Sequence, residues 1–79
     1  MNKVIFQLND VKSSTIRFLG FQGILEGTGE MNVWFNNGLL YRYYDVEFNV
    51  FLTIVRSESI GSAFNKLIVK NPKYLYEKV

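Results

Sequence analysis

The 79-residue chain has no histidine, no cysteine and a single proline. Without His or Cys there is no Ser-His-Asp or Cys-His catalysis, no disulfide, and no ordinary zinc, haem or iron–sulfur ligation. Acid–base chemistry at neutral pH would fall to a carboxylate or lysine with a strongly displaced pKa. The acids are Asp10, Glu26, Glu30, Asp45, Glu47, Glu58 and Glu77. Only Asp45–Glu47 and Glu26–Glu30 lie close in sequence, and neither pair follows a metal-loop template. Phosphate-cradling glycine motifs are also missing. The sequence therefore reads as non-catalytic, with no metal and no cofactor expected.

Long apolar runs are missing as well. Nothing approaches the roughly 18 residues of a membrane helix, and the segment from Met1 to Gln7 turns polar too early for a secretion signal. The expectation is no membrane association and, by default, a cytoplasmic location. Net charge is only +2, but it is unevenly divided. Residues 1–55 carry Lys3, Lys12, Arg17 and Arg42 against Asp10, Glu26, Glu30, Asp45 and Glu47, a net of −1. Residues 56–79 carry Arg56, Lys66, Lys70, Lys73 and Lys78 against Glu58 and Glu77, a net of +3. The basic character belongs to the last third.

What is present is apolar and aromatic: 48% hydrophobic residues, with seven Phe, five Tyr and one Trp. A domain this short buries only about 60% of its unfolded surface, so apolar packing has to hold it together. The chain reads as one domain, 1–79. Val4, Phe6 and Leu8 alternate with Lys3, Ile5 and Gln7 as in a half-buried strand, and Asn9-Asp10 signals a turn. Thr15 to Phe21 is β-branched and aromatic, with Ile16 and Phe18 on one face and Arg17 on the other. Gly23, Gly27 and Gly29 punctuate a flexible stretch. Met31–Phe35 and Leu39–Tyr44 form a hairpin around Asn36-Asn37-Gly38, where Asn-Gly suits a type I′ turn. Leu39, Tyr41 and Tyr43 share one face; Leu40, Arg42 and Tyr44 share the other.

From Asp45 the apolar period changes to 3.6. Asp45 is placed to cap a helix starting at Val46, with Val46, Val50, Phe51, Ile54 and Val55 as its apolar face. Ser59 caps a second helix whose stripe is Ile60, Ala63, Phe64, Leu67 and Ile68. Asn71-Pro72 ends it, and Tyr74–Lys78 alternates as a last strand. The pattern is ββββααβ: an α+β domain with a small antiparallel sheet of about five strands and two helices packed on one face.

The run Val11-x-Ser13-Ser14-x-Ile16, Gly20-Phe21, Val33-x-Phe35-x-x-Gly38-x-x-Tyr41-Arg42-Tyr43-x-x-Val46, Ser59-x-Gly61-x-x-Phe64-Asn65-x-x-Ile68 and Tyr74-x-Tyr76 resembles the KTSC domain. That family is named for its occurrence at the C-terminus of some lysyl-tRNA synthetases and includes free-standing bacterial and phage proteins. The likeness spans Val11 to Val79, with Tyr41-Arg42-Tyr43 its most recognisable element. The chain departs from the pattern at Phe21, where many members have Tyr. It departs again at Val46-Glu47, where many have Val-Pro, and in a longer loop at Gly27-Thr28-Gly29. The resemblance implies the α+β fold and a weak link to RNA, and it carries over no catalytic residue.

Two readings of the surface follow. Trp34, Arg42 and Tyr44, projecting from the sheet, and Lys66, Lys70 and Lys73 are the contact candidates. Trp34 either projects beside Arg42 or Tyr44 or is covered at the back of the sheet by the N-terminal strand. Tyr41 and Tyr43 read as core residues with hydroxyls tied to backbone. Gly38, Gly61 and Phe64 read as structural, and Asn65 as bonded to a nearby loop carbonyl. In the first reading the chain is a protein–protein interaction factor of phage or mobile-element type. It would act on a host protein or through self-association as a homodimer, helped by its eight Asn and its open sheet edges. In the alternative, Arg42 and Tyr44 with the lysines bind RNA, tRNA or single-stranded nucleic acid by stacking and phosphate contact.

Overall fold

The computed structural model describes residues 3–9, 11 and 13–79. Met1, Asn2, Asp10 and Lys12 lie outside the described residues, and with them half of the Asn9-Asp10 turn. The strands are β1 (Lys3–Leu8), β2 (Ile16–Ile24), β3 (Thr28–Phe35), β4 (Leu40–Glu47) and β5 (Tyr76–Lys78). They form one antiparallel meander in the order β1-β2-β3-β4-β5. Between β4 and β5 run α1 (Phe48–Val55), α2 (Ile60–Phe64) and a π-helical continuation, Asn65–Val69, called α3. The expected ββββααβ order and one-sided helix layer are what the chain adopts.

Residue parity along the strands decides which side chains enter the core, and two irregularities reset it. Between the pairs Ile16–Phe35 and Phe18–Trp34, β2 holds the extra residue Arg17. Ile16 therefore joins Leu19 and Phe21 in the core, while Phe18 turns to the opposite face, against the expectation that Ile16 and Phe18 share a side. On β4, Tyr44 and Asp45 stand where β3 has only Glu30. Asp45 takes φ of 55° there, a left-handed conformation that Asp tolerates better than most residues. Tyr43 and Val46 consequently both point inward. This bulge also corrects the helix start: Asp45 is no cap, and α1 begins at Phe48.

The β3–β4 hairpin forms, but without the type I′ turn. Gly38 N–H donates to the Phe35 carbonyl at 3.0 Å and Phe35 N–H to the Leu39 carbonyl at 2.8 Å. Gly38, at φ 93°, alone takes the left-handed conformation in this loop, as in three-residue hairpin loops. Ser59 does cap α2, accepting from Ser62 N–H at 3.3 Å. The final strand is shorter than expected, with Tyr74 folded inward ahead of it.

One sheet face carries the helices. Phe48 packs on Phe6 and Phe21, with ring centroids 5.2 and 5.4 Å apart, and Phe51 packs on Phe21 at 5.4 Å. Over the other half of the sheet, Phe64 meets Phe35 and Tyr43 edge-on at 5.8 and 5.6 Å. Such pairs contribute about 0.5–1.5 kcal/mol each beyond the area they bury. At the far end, Gly23 and Gly29 pair so closely that a Cβ on Gly23 would lie 2.4 Å from Gly29 Cα. Gly23→Ala is expected to destabilise the fold by about 1–3 kcal/mol, the usual range for overpacking. Urea unfolding monitored by Trp34 fluorescence would show this as a lowered midpoint, and an unshifted midpoint would contradict the close approach.

Candidate functional site

The C-terminal helix does not close down on the sheet along its whole length. Phe64 and Ile68 are its buried anchors. One row around the helix, Gly61, Asn65 and Val69 face a groove of about 560 Å³. The opposite wall comes from β4 and β5 through Tyr41, Tyr43 and Tyr76, with Phe35 at the end of β3. Tyr41 and Tyr76 stack face to face at 5.3 Å and 11°, and Tyr43 meets Tyr76 at 5.2 Å. Phe35 stands edge-on to Tyr41 at 5.4 Å. The groove is within the size range of small-ligand sites. Among the described residues, no charged side chain lines it.

Hydroxyl groups distinguish this wall. Tyr74, at its end, donates to Glu47 at 2.7 Å, and on the opposite sheet face Tyr44 donates to Glu77. Among the described residues the hydroxyls of Tyr41, Tyr43 and Tyr76 make no hydrogen bond, which corrects the expected backbone ties of Tyr41 and Tyr43. Asn65 likewise bonds no loop carbonyl among the described residues; its residue is exposed and lines the groove. The main chain at Asn65 explains its placing. Lys70 N–H donates to the Asn65 carbonyl at 3.0 Å, an i→i+5 bond. Turns of this π type are rare and recur at functional sites.

A second hollow of about 440 Å³ continues the groove past Thr15, Gly61 and Asn65. Its walls are the hydroxyl side chains of Ser13, Ser14, Ser59 and Ser62, with Glu58. Ser13 Oγ also accepts from Thr15 and Ile16 N–H at 3.1 and 3.2 Å, the local turn expected of Ser13-Ser14. Gly61 is what lets α2 approach this turn, since a Cβ there would lie 3.0 Å from Ser13 Oγ.

The other end of the groove is pinned by Glu47. Its carboxylate pairs with Lys73 and accepts from Tyr74, so it does not cap α1 although it occupies the cap position. Lys73, a contact candidate, is thereby committed to the fold, and its ammonium also lies 5.2 Å from the Tyr74 ring centroid. The Lys73 hydrogen bond, then that of Tyr74, pulls the Glu47 pKa down to about 2. Burial, then the Glu47 contact, pushes Tyr74 up to about 12. Burial, then Tyr76 and Tyr41, pushes Tyr43 up to about 12.

The remaining candidates divide between two sides of the molecule. Lys66 on α3 and Lys70 just after it are exposed, each following a groove residue, Asn65 or Val69. Trp34, Arg42 and Tyr44 stand on the helix-free sheet face. Trp34 is 42% exposed, with the Arg17 guanidinium 5.1 Å from its ring centroid. Strand β1 pairs at the sheet edge and does not cover it. Arg42 donates to Asn32 Oδ1 at 3.1 Å and lies 3.9 Å from Glu77, which also accepts from Tyr44. The six contact candidates therefore do not make one surface. Tyr41, Tyr43, Gly61, Phe64 and Asn65, read as structural from the sequence, do come together, and Tyr76 joins them.

The family model of the KTSC domain matches residues 12–74, and the chain belongs to this family. A crystal structure of a KTSC domain protein from Yersinia pestis has the same fold, with a TM-score of 0.72. The two are 22% identical, and the match covers 96% of this chain and 99% of the other. No curated protein matches the chain.

Two pH limits follow from the shifted groups. Glu47 has a lower pKa folded than its ordinary 4.5, so its ionised form stabilises fully above about pH 4.5 and loses that effect as pH falls towards 2. Glu47→Gln should flatten the acid limb of a stability–pH profile in that window, and an unchanged limb would count against the Lys73–Glu47–Tyr74 cluster. Tyr43 is shifted the other way. Its contribution is complete below its ordinary 10.0 and is lost as pH rises through about 12. Ultraviolet titration should show two late-ionising phenols, Tyr43 and Tyr74, of which Tyr43→Phe removes one.

Proposed function

We propose that this domain is a non-catalytic protein-interaction module that holds an extended segment of a partner protein in the aromatic groove under α2 and α3. The observation that carries the reading is the concentration of uncommitted hydrogen-bonding groups on one apolar groove: the hydroxyls of Tyr41, Tyr43 and Tyr76 and the amide of Asn65. Groups of this kind fix the orientation of a bound chain, while the rings supply contact area.

Nucleic acid is the weaker reading. Its stacking candidates, Trp34 and Tyr44, stand on the sheet face away from Lys66 and Lys70, and Arg42 and Lys73 are already paired. A phosphate-tracking surface needs its cations free and on the same side as its stacking rings.

Affinity capture from lysate, with and without nuclease, tests the choice. A partner protein is expected to survive nuclease, to be lost with Tyr76→Ala and to be retained with Trp34→Ala. Tyr76 is 58% exposed, so its truncation is compatible with a folded domain. Capture that disappears with nuclease would favour RNA instead.

A further inference from the structure

Resting on the protein-interaction reading, we infer that the segment held in the aromatic groove is a proline-rich, polyproline II stretch flanked by acidic residues. Three features of the groove point to this chemistry. Its apolar wall is a row of rings standing on the sheet: Tyr41 and Tyr43 are two residues apart on one face of β4, and Tyr76 lies against both. Alternate residues on a strand are about 7 Å apart, so the wall is ridged on the scale of single side chains. A left-handed polyproline helix, with three residues per turn and a rise of about 3.1 Å each, offers prolyl rings on that scale.

Hydrogen bonding gives the second feature. A polyproline segment has carbonyls pointing outward and no N–H groups. It therefore asks a groove for donors and for no acceptor. The phenol hydroxyls of Tyr41, Tyr43 and Tyr76 supply donors, and the Asn65 amide supplies more. A β-strand ligand would ask for a backbone edge. The groove walls instead present side chains: β4 is paired on both sides by β3 and β5, and β5, the edge strand, is only three residues long.

Charge supplies the third feature. Among the described residues no charged side chain lines the groove, but exposed lysines stand next to its helical lining residues and on β5. Lys66 and Lys70 follow the lining residues Asn65 and Val69, and Lys78 pairs across from Tyr41. Glu47 is neutralised by Lys73, and Glu77 is engaged by Arg42 and Tyr44 on the other face. Glu58 lies in the adjoining serine-lined hollow. The positive surround favours acidic residues beside the prolines, since opposite charge speeds encounter and fixes orientation.

The test titrates the full chain with a synthetic peptide of eight prolines bearing two glutamates at each end, followed by amide and side-chain NMR shifts. Shifts are expected at Tyr41, Tyr43, Asn65 and Tyr76 and not at Trp34. Tyr41→Phe and Tyr76→Phe keep the rings and remove one donor each. Each should weaken binding about threefold to tenfold, the loss of one net hydrogen bond. Lys66→Ala with Lys70→Ala should narrow the preference for the glutamate-flanked peptide over a lysine-flanked one. Equal affinity for a peptide whose prolines are replaced by alternating Ala and Gly would overturn the polyproline assignment while leaving a peptide groove. No shift with either peptide, when lysate capture still depends on Tyr76, would overturn it too. A single-stranded RNA oligonucleotide shifting the same resonances in place of the peptide would overturn both this assignment and the protein-interaction reading.

Discussion

Phe64 is the contact on which the C-terminal half of the molecule depends. It is the one fully buried residue of α2, and it stands edge-on against Phe35 and Tyr43. An edge-on ring is a tall spacer. It holds α2 and α3 off β4 instead of letting them collapse onto it, and the space left beside it is the groove. Ile68 repeats the anchor one turn on. The helix is thus fixed at two points and open between its Gly61–Asn65–Val69 row and the tyrosines. In a small domain with a thin stability margin, the same aromatic contact serves the core and shapes the surface.

The two strand bulges make this arrangement compatible with a meander. A regular strand alternates its faces, so Ile16 could not share the core with Leu19, nor Val46 with Tyr43. Arg17 absorbs the mismatch on β2, and Tyr44-Asp45 on β4. The consequence on the helix-free face is equally definite. Phe18 is turned outward and covers Gly20, whose missing side chain leaves room for the ring, 3.1 Å from where a Cβ would sit. Phe18 pairs across from Trp34, and Trp34 across from Leu40. That face is mixed in character, because the next row is Gly20, Asn32, Arg42 and Glu77.

Much of the architecture is legible in the sequence because period and punctuation are strong. The 3.6 stripe from Ile60 to Ile68, the Ser59 cap and the Asn36-Asn37-Gly38 loop all name their elements. What is not legible is set by tertiary context. The bulges carry no composition signal, so Phe18 and Val46 are assigned to the wrong side or the wrong element. Asp45 looks like a helix cap because a cap and a left-handed bulge favour the same residue type. The π turn at Asn65 keeps the apolar stripe intact, and so leaves no trace in the pattern.

The groove illustrates the same limit from the side of the site. Tyr41, Tyr43 and Asn65 are prominent in the sequence, but a tyrosine on an inward strand face reads as core, where its hydroxyl is expected to find a protein partner. Tyr43 is indeed core and Tyr41 packs half-buried against it, yet among the described residues neither hydroxyl bonds a protein group, because the helix stands off β4. Lys73 shows the converse: it looks free in the sequence, yet Glu47 holds it, because β4 and the loop after α3 meet at the start of α1. Of the other basic residues in the last third, Arg56 ends α1, while Lys66 and Lys70 stand beside helical lining residues of the aromatic groove and Lys78 pairs across from Tyr41. Net charge along the chain is thus a poor guide to this surface, because the fold commits some of its cations to itself and leaves others in the open.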